Sequence, residues 1–243
     1  MDERHEHNFV RLVGHLLPMI DAAPPLVIGI TGSVAVGKSH FARALGNEIE
    51  ARRGHAYVEV VSVDSFLYPN KVLHQRGLTM RKGFPESFDR DAIATFLRAL
   101  RNGEREVLVP VYDHFTYDIV AGETRTIGRP NAVVVEGVAL LDDPIVSDLL
   151  DVSIYLDADV DAIEGWYTDR FVANALRAVD EPGGFWDLFA GFDADQLREA
   201  AAFTWSAINL PNLVEHIEPT RTRADIVVRK ATDHSIASIS GIA

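Results

Sequence analysis

The feature that most constrains this chain is a glycine-rich segment at residues 32–39, Gly-Ser-Val-Ala-Val-Gly-Lys-Ser. It matches the pattern G-x-x-x-x-G-K-[ST] at every defined position. A run rich in branched residues, 26–31, comes directly before it and is typical of a buried parallel strand. A helical pattern begins at Lys38. Strand, glycine-rich turn and helix in this order predict a phosphate-binding loop, or P-loop.

Each residue type in this loop has a chemical reason. Glycine lets the backbone approach phosphate oxygens closely, and the loop N–H groups and the helix amino terminus favour negative charge. We predict that Lys38 reaches the outer phosphates of ATP and that Ser39 ligates Mg²⁺. The predicted ATP-binding residues are Gly32, Ser33, Val34, Ala35, Val36, Gly37, Lys38, Ser39 and His40.

Strand and helix patterns alternate along the rest of the chain. Strands are predicted at residues 26–31, 57–63, 131–135, 152–156 and 226–228, and helices at 8–21, 38–52, 89–101, 161–177 and 193–208. The alternation predicts an α/β fold, a P-loop three-layer sandwich with a mostly parallel central sheet. With 243 residues, we expect one domain over residues 1–243 that includes a helical lid or substrate-pocket region from Asp161 to Ile208.

The composition excludes several classes of function. A formal net charge of -13 argues against a general nucleic-acid surface, because such binding depends on Lys and Arg. The absence of cysteine removes disulfides, thiolate metal ligands and cysteine nucleophiles. The apolar stretch at residues 9–20 is interrupted by Arg11, His15 and Pro18, so it predicts neither a secretion signal nor a membrane span. We therefore expect a cytoplasmic protein.

Two carboxylates follow predicted strands, at the sheet edge where ligands of parallel sheets bind. Asp64 follows the run at 58–63, and we predict that it is the general base that activates an acceptor hydroxyl. The alternative is a cap or turn aspartate. Glu136 follows the run at 133–135 and is predicted to hold magnesium through water, together with Ser39, or to position Asp64. Its alternative is a solvated carboxylate at a strand end.

Aromatic and basic residues supply further candidates. The segment at 110–118 is predicted to be a loop, whose two tyrosines and one histidine suit a small polar substrate or simply pack the loop. Arg170, on a predicted helix with Tyr167, is expected to neutralise transferring charge together with Lys38, unless it is an ordinary surface arginine. Asn209 and Asn212 follow the next predicted helix and are typical of a cap and turn.

Six segments resemble the prokaryotic type I pantothenate kinases, relatives of uridine kinase and phosphoribulokinase. They are G-S-V-A-V-G-K-S at 32–39, V-D-S-F-L-Y-P-N at 63–70, R-K-G-F-P-E-S at 81–87, P-V-Y-D-H at 110–114, W-Y-T-D-R-F at 166–171 and I-N-L-P-N-L-V-E at 208–215. They occur in the family's order over nearly the whole chain. The resemblance implies transfer of the γ-phosphate of ATP, with Mg²⁺, to the hydroxyl of pantothenate, the first step of coenzyme A biosynthesis.

The resemblance also implies roles that the residue patterns do not supply. The aspartate matching Asp64 acts at the hydroxyl, and Lys82 falls near the nucleotide and the inhibitor. A homodimer that coenzyme A inhibits is implied as well. The residues implied to line the pantothenate or coenzyme A pocket are Tyr112, His114, Tyr117, Tyr167 and Asn209.

The sequence departs from the family pattern after Phe171. Asn174 and Ala175 stand where the family has an apolar residue and an arginine that assists transfer. The sequence therefore leaves the identity of the acceptor undetermined: it is either pantothenate, or another small alcohol or a nucleoside. A third hypothesis is a nucleotide- or coenzyme A-binding regulator that has lost catalysis. The presence of Lys38 and Asp64 argues against it, because a pure sensor needs no hydroxyl base.

Overall fold

The computed structural model describes residues 3–22, 25–178 and 182–242. Its strands are β1 (Leu26–Gly32), β2 (Val58–Ser62), β3 (Val107–Asp113), β4 (Asp118–Ile127), β5 (Ala132–Glu136), β6 (Val152–Asp157), β7 (Ile226–Lys230) and β8 (Ile236–Ser240). Its principal helices are α1 (Glu3–Ala22), α2 (Lys38–Arg53), α3 (Asn70–Gln75), α4 (Arg90–Arg101), α5 (Pro144–Ser147), α6 (Val160–Arg177) and α7 (Ala194–Thr204). Within these ranges, no helix has the length and hydropathy needed to cross a membrane.

The central sheet has the strand order β2-β5-β1-β6-β7-β8. All neighbours from β2 to β7 are parallel, and β8 pairs antiparallel with β7 at the edge. Every residue of β1 and β5 is buried, as runs of branched residues in a sheet covered on both faces should be. The predicted α/β fold with a mostly parallel sheet is confirmed, and each predicted strand is present with bounds that differ by at most two residues.

Two hydrophobic cores cover the two faces of this sheet. Consecutive side chains of a strand point to opposite faces, so Ile28 and Val134 join the core formed with α1, α2, α6 and α7. Their neighbours Val27 and Val133 join the core formed with α4 and β3. The sheet and its two covering layers make the three-layer sandwich.

The prediction of a loop at residues 110–118 is wrong for 110–113 and 118, which lie in strands, whereas 114–117 form the turn that joins these strands. The strands make a hairpin in which β3 pairs antiparallel with β4, from Val107 opposite Ile127 to Asp113 opposite Asp118. The register shifts between Pro110 and Tyr112, where the proline has no N–H to donate to the ladder. Much of β4 is exposed, so its sequence lacks the apolar alternation that would have predicted a strand.

The prediction of a cap and turn at Asn209 and Asn212 is also wrong. After α7 the chain continues as a wide π-helical turn at Trp205–Asn209, a short α-helical turn at Leu210–Asn212 and a second π-helical turn at Leu213–Ile217. Pro211, in the middle of this π-helical stretch (residues 205–217), removes one backbone donor from the usual helical ladder. Both asparagines therefore lie within a continuous helical path.

The predicted lid region from Asp161 to Ile208 contains most of α6, a 3₁₀ turn at Phe185–Phe189, α7 and most of the first π-helical turn. Residues 179–181 of this region lie outside the described ranges. Phe171 on α6 packs on Trp186 and Phe189 of the 3₁₀ turn, with ring centroids 5.1 and 4.8 Å apart. The region is thus tied to the main core through α6, and its role as a lid stays a prediction.

Gly137 gives a stability test of the packing where β5 ends. A Cβ atom at this position would lie 1.9 Å from Cγ2 of Val63. We expect Gly137→Ala to lower the free energy of unfolding by about 1–3 kcal/mol, because the added methyl group overpacks a filled site. Denaturant unfolding measures this change. Gly128→Ala is the control, since no atom lies within 4 Å of its added Cβ; equal stability of the two variants would contradict the prediction.

Candidate active site

The P-loop connects β1 to α2 through two glycines in left-handed conformations. Gly32 has φ 142°, and a Cβ there would lie 2.4 Å from the carbonyl oxygen of Leu156. Gly37 has φ 93° and lies directly before α2, whose first turn has neither a side-chain cap nor an acidic residue. The first N–H groups of α2 are therefore available to an anion.

Lys38 turns back into this loop. Its side chain is 9% exposed, and its Nζ donates hydrogen bonds to the carbonyl oxygens of Gly32 at 3.1 Å and Ser33 at 2.8 Å. Burial lowers the pKa of Lys38 to about 8, although the carboxylates of Glu136 and Asp64 oppose this lowering. The P-loop thus holds a cation at its centre, as phosphate binding requires.

Two carboxylates and a hydroxyl lie next to Lys38. Glu136, the last residue of β5, is 5% exposed and accepts a hydrogen bond from Ser39 Oγ at 2.8 Å. Asp64 lies in a 3₁₀ turn directly after β2. Burial and then the charge of Glu136 raise the pKa of Asp64, against the opposing charge of Lys38. The charge of Glu136 therefore acts on Asp64 across the sheet edge.

These oxygen atoms fit a magnesium ion. Mg²⁺ prefers oxygen ligands and is commonly bound by one or two carboxylates together with substrate phosphates. A cation between Asp64, Glu136 and Ser39 would relieve the repulsion that raises the pKa of Asp64. In the described part of the chain, no group of three or more His, Cys, Asp and Glu residues could hold a metal ion by itself. The chemistry of the site therefore matches a metal that the nucleotide helps to hold.

The β3–β4 hairpin brings the predicted aromatic residues to Asp64. The ring centroids of Tyr112 and His114 are 5.1 Å apart, and those of His114 and Tyr117 are 6.4 Å apart. Burial raises the pKa of both Tyr112 and Tyr117, so their hydroxyl groups stay protonated and can donate hydrogen bonds. His114 lies close enough to Asp64 for its charge to oppose the rise in the pKa of that carboxyl.

Lys82 completes this aromatic wall. Its Nζ donates to Asn70 Oδ1 at 2.7 Å and to the carbonyl oxygen of Tyr117, and lies 5.3 Å from the ring centroid of Tyr112. Burial lowers its pKa, while the charges of Asp118 and Asp64 oppose that lowering. The contacts of Lys82 are thus with the aromatic hairpin beside Asp64.

The opposite wall comes from α6 and the π-helical stretch. Tyr167 is buried, with its ring centroid 5.8 Å from that of Trp205. Burial raises the pKa of Tyr167, and the neighbouring side chain of Asn209 opposes this rise. Arg170 is exposed on the same helix, and its charge acts on Tyr117, Tyr167 and Lys38. These residues therefore lie close to the β3–β4 hairpin and to Lys38, and we call the region between the hairpin and α6 the aromatic cleft.

Ala175 lies inside the protein rather than at this cleft. It is 7% exposed and belongs to the hydrophobic core that includes Phe171. Arg177, at the end of α6, donates to Asn174 Oδ1 at 3.3 Å. Arg170 is thus the α6 arginine whose charge reaches Lys38.

Sequence reasoning missed a second basic residue at the loop. Lys230, the last residue of β7, donates from Nζ to the carbonyl oxygen of Val36 at 2.8 Å. It also lies 5.3 Å from the ring of Trp166, which stacks on His234 with centroids 4.1 Å apart. Because Lys230 ends a parallel strand, the rule that selected Asp64 and Glu136 could have found it.

The structure brings nearly all predicted site residues to the carboxyl edge of the sheet. His40 is the exception, because its side chain is exposed on α2 and its charge acts on His234 rather than on the site residues. The residues that meet around the P-loop and the aromatic cleft are Lys38, Ser39, Asp64, Glu136, Tyr112, His114, Tyr117, Tyr167, Arg170 and Asn209. Their individual roles stay predictions.

Comparison with known proteins identifies relatives of this chain. The sequence model described as the phosphoribulokinase/uridine kinase family matches residues 27–170. A pantothenate kinase from Parvibaculum lavamentivorans is 44% identical over 225 residues, covering 88% of this chain and 69% of that protein. A pantothenate kinase from Corynebacterium aurimucosum is 44% identical over 215 residues, covering 87% of this chain and 70% of that protein.

Solved structures share the fold. A putative fructose transport system kinase from Silicibacter sp. TM1040 has a TM-score of 0.73 at 25% identity, covering 90% of this chain and 98% of that chain. The D-glycerate 3-kinase from Cryptococcus neoformans has a TM-score of 0.63 at 13% identity and covers 96% of this chain, a likeness of fold alone. Because the family model spans more than half of the sequence and relatives at 44% identity span most of it, the chain belongs to the phosphoribulokinase/uridine kinase family of P-loop kinases.

Proposed function

We propose that the protein transfers the γ-phosphate of ATP to the hydroxyl of pantothenate, the first step of coenzyme A biosynthesis. The observation that carries this proposal is the meeting of Lys38, Ser39, Glu136 and Asp64 at one sheet edge. The names of the relatives that are 44% identical supply the acceptor.

The P-loop would bind the triphosphate of ATP. The first N–H groups of α2 face the anion, and Lys38 Nζ exchanges its two carbonyl contacts for phosphate oxygens. Ser39 and Glu136 would hold Mg²⁺, which neutralises charge on the phosphates when it is bound. Arg170 adds a further positive charge on the acceptor side of Lys38.

Asp64 would accept the proton of the acceptor hydroxyl. A general base works best when its pKa lies close to the working pH, and burial beside Glu136 raises the pKa of Asp64 in that direction. The charges of Lys38, His114 and Lys82 oppose this rise in the pKa of Asp64, because they favour the ionised carboxylate. The same carboxylate would orient the hydroxyl toward the phosphate.

The aromatic cleft would hold the acceptor. Tyr112, Tyr117 and Tyr167 keep protonated hydroxyl groups because burial raises their pKa. In the described part of the chain, Nδ2 of Asn209 is buried and has no hydrogen-bond partner. Pantothenate carries amide, hydroxyl and carboxylate oxygens, which such donors can bind.

A second candidate is transfer to another small alcohol, a sugar or a nucleoside. Ala175 stands where the family resemblance implies an arginine, and its side chain is buried in the core. A structurally similar chain at 25% identity, of which 98% is covered, is named a putative fructose transport system kinase. These two observations favour a changed acceptor with unchanged phosphate chemistry.

The proposal also includes the cellular compartment, the oligomeric state and an inhibitor. We propose a cytoplasmic location, because that compartment supplies ATP and Mg²⁺. A homodimer and inhibition by coenzyme A follow from the family resemblance alone. The net charge of -13 supports a small-molecule substrate rather than a nucleic acid.

The proposed base can be tested by measuring ADP formation with Mg-ATP and pantothenate. We expect turnover that depends on pantothenate, and a fall of about 10²–10⁴-fold in Asp64→Asn, because the amide cannot accept the proton. The control is Asp91→Asn, an exposed acid in the first turn of α4. Full activity in Asp64→Asn would show that this carboxyl is not the base.

The acceptor can be tested with a panel of pantothenate, a nucleoside, fructose and D-glycerate. We expect pantothenate to give the highest kcat/KM, because binding groups of the cleft suit its oxygens. A higher kcat/KM for another acceptor would establish the second candidate. Tight binding of ATP without transfer to any acceptor would instead favour a regulator, since one lost charge donor costs about 10²–10³ in rate.

The lowered pKa of Lys38 predicts a pH dependence of nucleotide binding. The protonated form binds phosphate, and it is lost as the pH rises through about 8. We therefore expect the Kd for Mg-ATP, measured by calorimetry without acceptor, to rise above that pH in the wild-type protein. Lys38→Met should bind more weakly at every pH and lack this dependence. An equally steep pH dependence in Lys38→Met would assign the titration to another group.

A further inference from the structure

We propose that Asn212 is a positioning residue that sets Lys82 in the acceptor cleft. It would do so by holding the backbone turn that carries Lys82. The inference rests on the proposed function for its kinetic consequence, because the cleft is where the acceptor would bind. Its structural part concerns only the contacts of the described residues.

The contact joins two segments that are far apart in sequence. Asn212 is 7% exposed, and its Nδ2 donates to the carbonyl oxygen of Gly83 at 2.8 Å. The donor role fixes which end of the amide faces Gly83, because a carbonyl oxygen can only accept. Asn212 itself lies on the short α-helical turn between the two π-helical turns. Such π-helical turns are frequent at functional sites.

The turn that Asn212 contacts, residues 83–87, also has other contacts: the Tyr68 N–H donates to the carbonyl oxygen of Ser87 at 2.9 Å, and the ring centroids of Phe84 and His216 lie 5.7 Å apart. Gly83 has φ 91°, and its N–H donates to Ser87 Oγ at 3.0 Å. Ser87 Oγ in turn donates to the carbonyl oxygen of Phe84 at 2.6 Å, and the Phe84 side chain is buried. The bond from Asn212 thus adds a directed hydrogen bond between this small unit, the 83–87 turn, and the π-helical stretch, beside the ring contact of Phe84 with His216.

Lys82 immediately precedes the 83–87 turn, so its side chain depends on where the turn lies. Its Nζ reaches Asn70 Oδ1 and the Tyr117 carbonyl oxygen and lies over the ring of Tyr112. Its charge opposes the rise in the pKa of Asp64 that burial and Glu136 cause. A shift of the turn would therefore move a cation within the aromatic cleft and change the charge around Asp64.

The same stretch of chain also supports the opposite wall of the cleft. Trp205 packs on Tyr167, and Asn209 lies three residues before Asn212. The bond from Asn212 to Gly83 thus sets the distance between the wall with Tyr167 and the wall with Lys82. Loss of the bond should loosen the acceptor cleft and leave the P-loop unchanged.

A purely stabilising role is the alternative. Against it, Oδ1 of Asn212 is buried without a hydrogen-bond partner among the described residues. A buried amide oxygen without a partner has a desolvation cost, so an apolar side chain would suit stability alone better. The experiment must separate positioning from stability, and a matched variant makes this possible.

The test variants are Asn212→Asp, which has the same shape without the donor, and Asn212→Leu, which is apolar. The matched control is Thr220→Ala. Thr220 is also buried, and its Oγ1 donates to the carbonyl oxygen of Ile217 at 2.6 Å, without contact to the 83–87 turn. Thermal unfolding ranks the stability of the three variants, so that losses from unfolding are recognised.

The first readout needs no acceptor. The sequence has lysines only at positions 38, 71, 82 and 230, so acylation of each amine can be followed by mass spectrometry. Burial lowers the pKa of Lys82, whereas Lys71 is exposed and serves as an internal reference. We expect the pH midpoint of Lys82 labelling to rise in both Asn212 variants and to stay unchanged in Thr220→Ala, with the extent of Lys71 labelling used to normalise the reaction.

The second readout is kinetic. We expect KM for the acceptor to rise about tenfold in the Asn212 variants, with KM for ATP changed less than about twofold, because the P-loop is untouched. In the Lys82→Ala background, Asn212→Asp should cause no further rise, since coupled residues are not additive. Additive effects, or an unchanged labelling midpoint in both folded Asn212 variants, would overturn the proposal. If wild-type protein phosphorylates no acceptor, the proposed function fails, and the labelling alone decides the role of Asn212.

Discussion

The parallel pairing of β1 with β5 and β6 is the constraint on which the rest of the site depends. Its register sets Ile30 opposite Glu136 and Gly32 opposite Leu156. β5 also pairs with β2, so that Ser62, two residues before Asp64, lies opposite Glu136. The P-loop and both carboxylates therefore reach one edge at the same height. A slip of one residue would turn each side chain to the other face of the sheet.

Burial then gives these groups their chemistry. Lys38 and Asp64 are charged groups at a closed edge, where removal from water lowers the pKa of the amine and raises that of the carboxyl. Glu136 adds a negative charge that favours a cation in the same place. The site therefore combines a loop for anions with oxygen ligands for a metal, which is the combination that phosphoryl transfer requires.

The acceptor side of the cleft is assembled differently from the nucleotide side. It is built from the β3–β4 hairpin, the 83–87 turn, α6 and the π-helical stretch, which meet only through tertiary contacts. The stack of Tyr117 on Phe185, with ring centroids 4.6 Å apart, links the hairpin to the lid region. Ala175, where the sequence departs from the family pattern, lies on α6 with its side chain in the hydrophobic core. Variation in a P-loop kinase can thus change the acceptor while the phosphate machinery stays the same.

The sequence by itself determined the P-loop, the parallel strands, and Asp64 and Glu136 as residues that follow strands, because each of these signals is local. The strand alternation was enough to predict that they would converge, although not their distances. Only the tertiary structure decided that 110–118 belongs to a β-hairpin and that the chain stays helical past Asn209. It also decided that Lys230 contacts the P-loop and that Asn212 contacts the 83–87 turn. Those features come from pairings between distant segments, and the free energy that stabilises them appears only when the segments pack together.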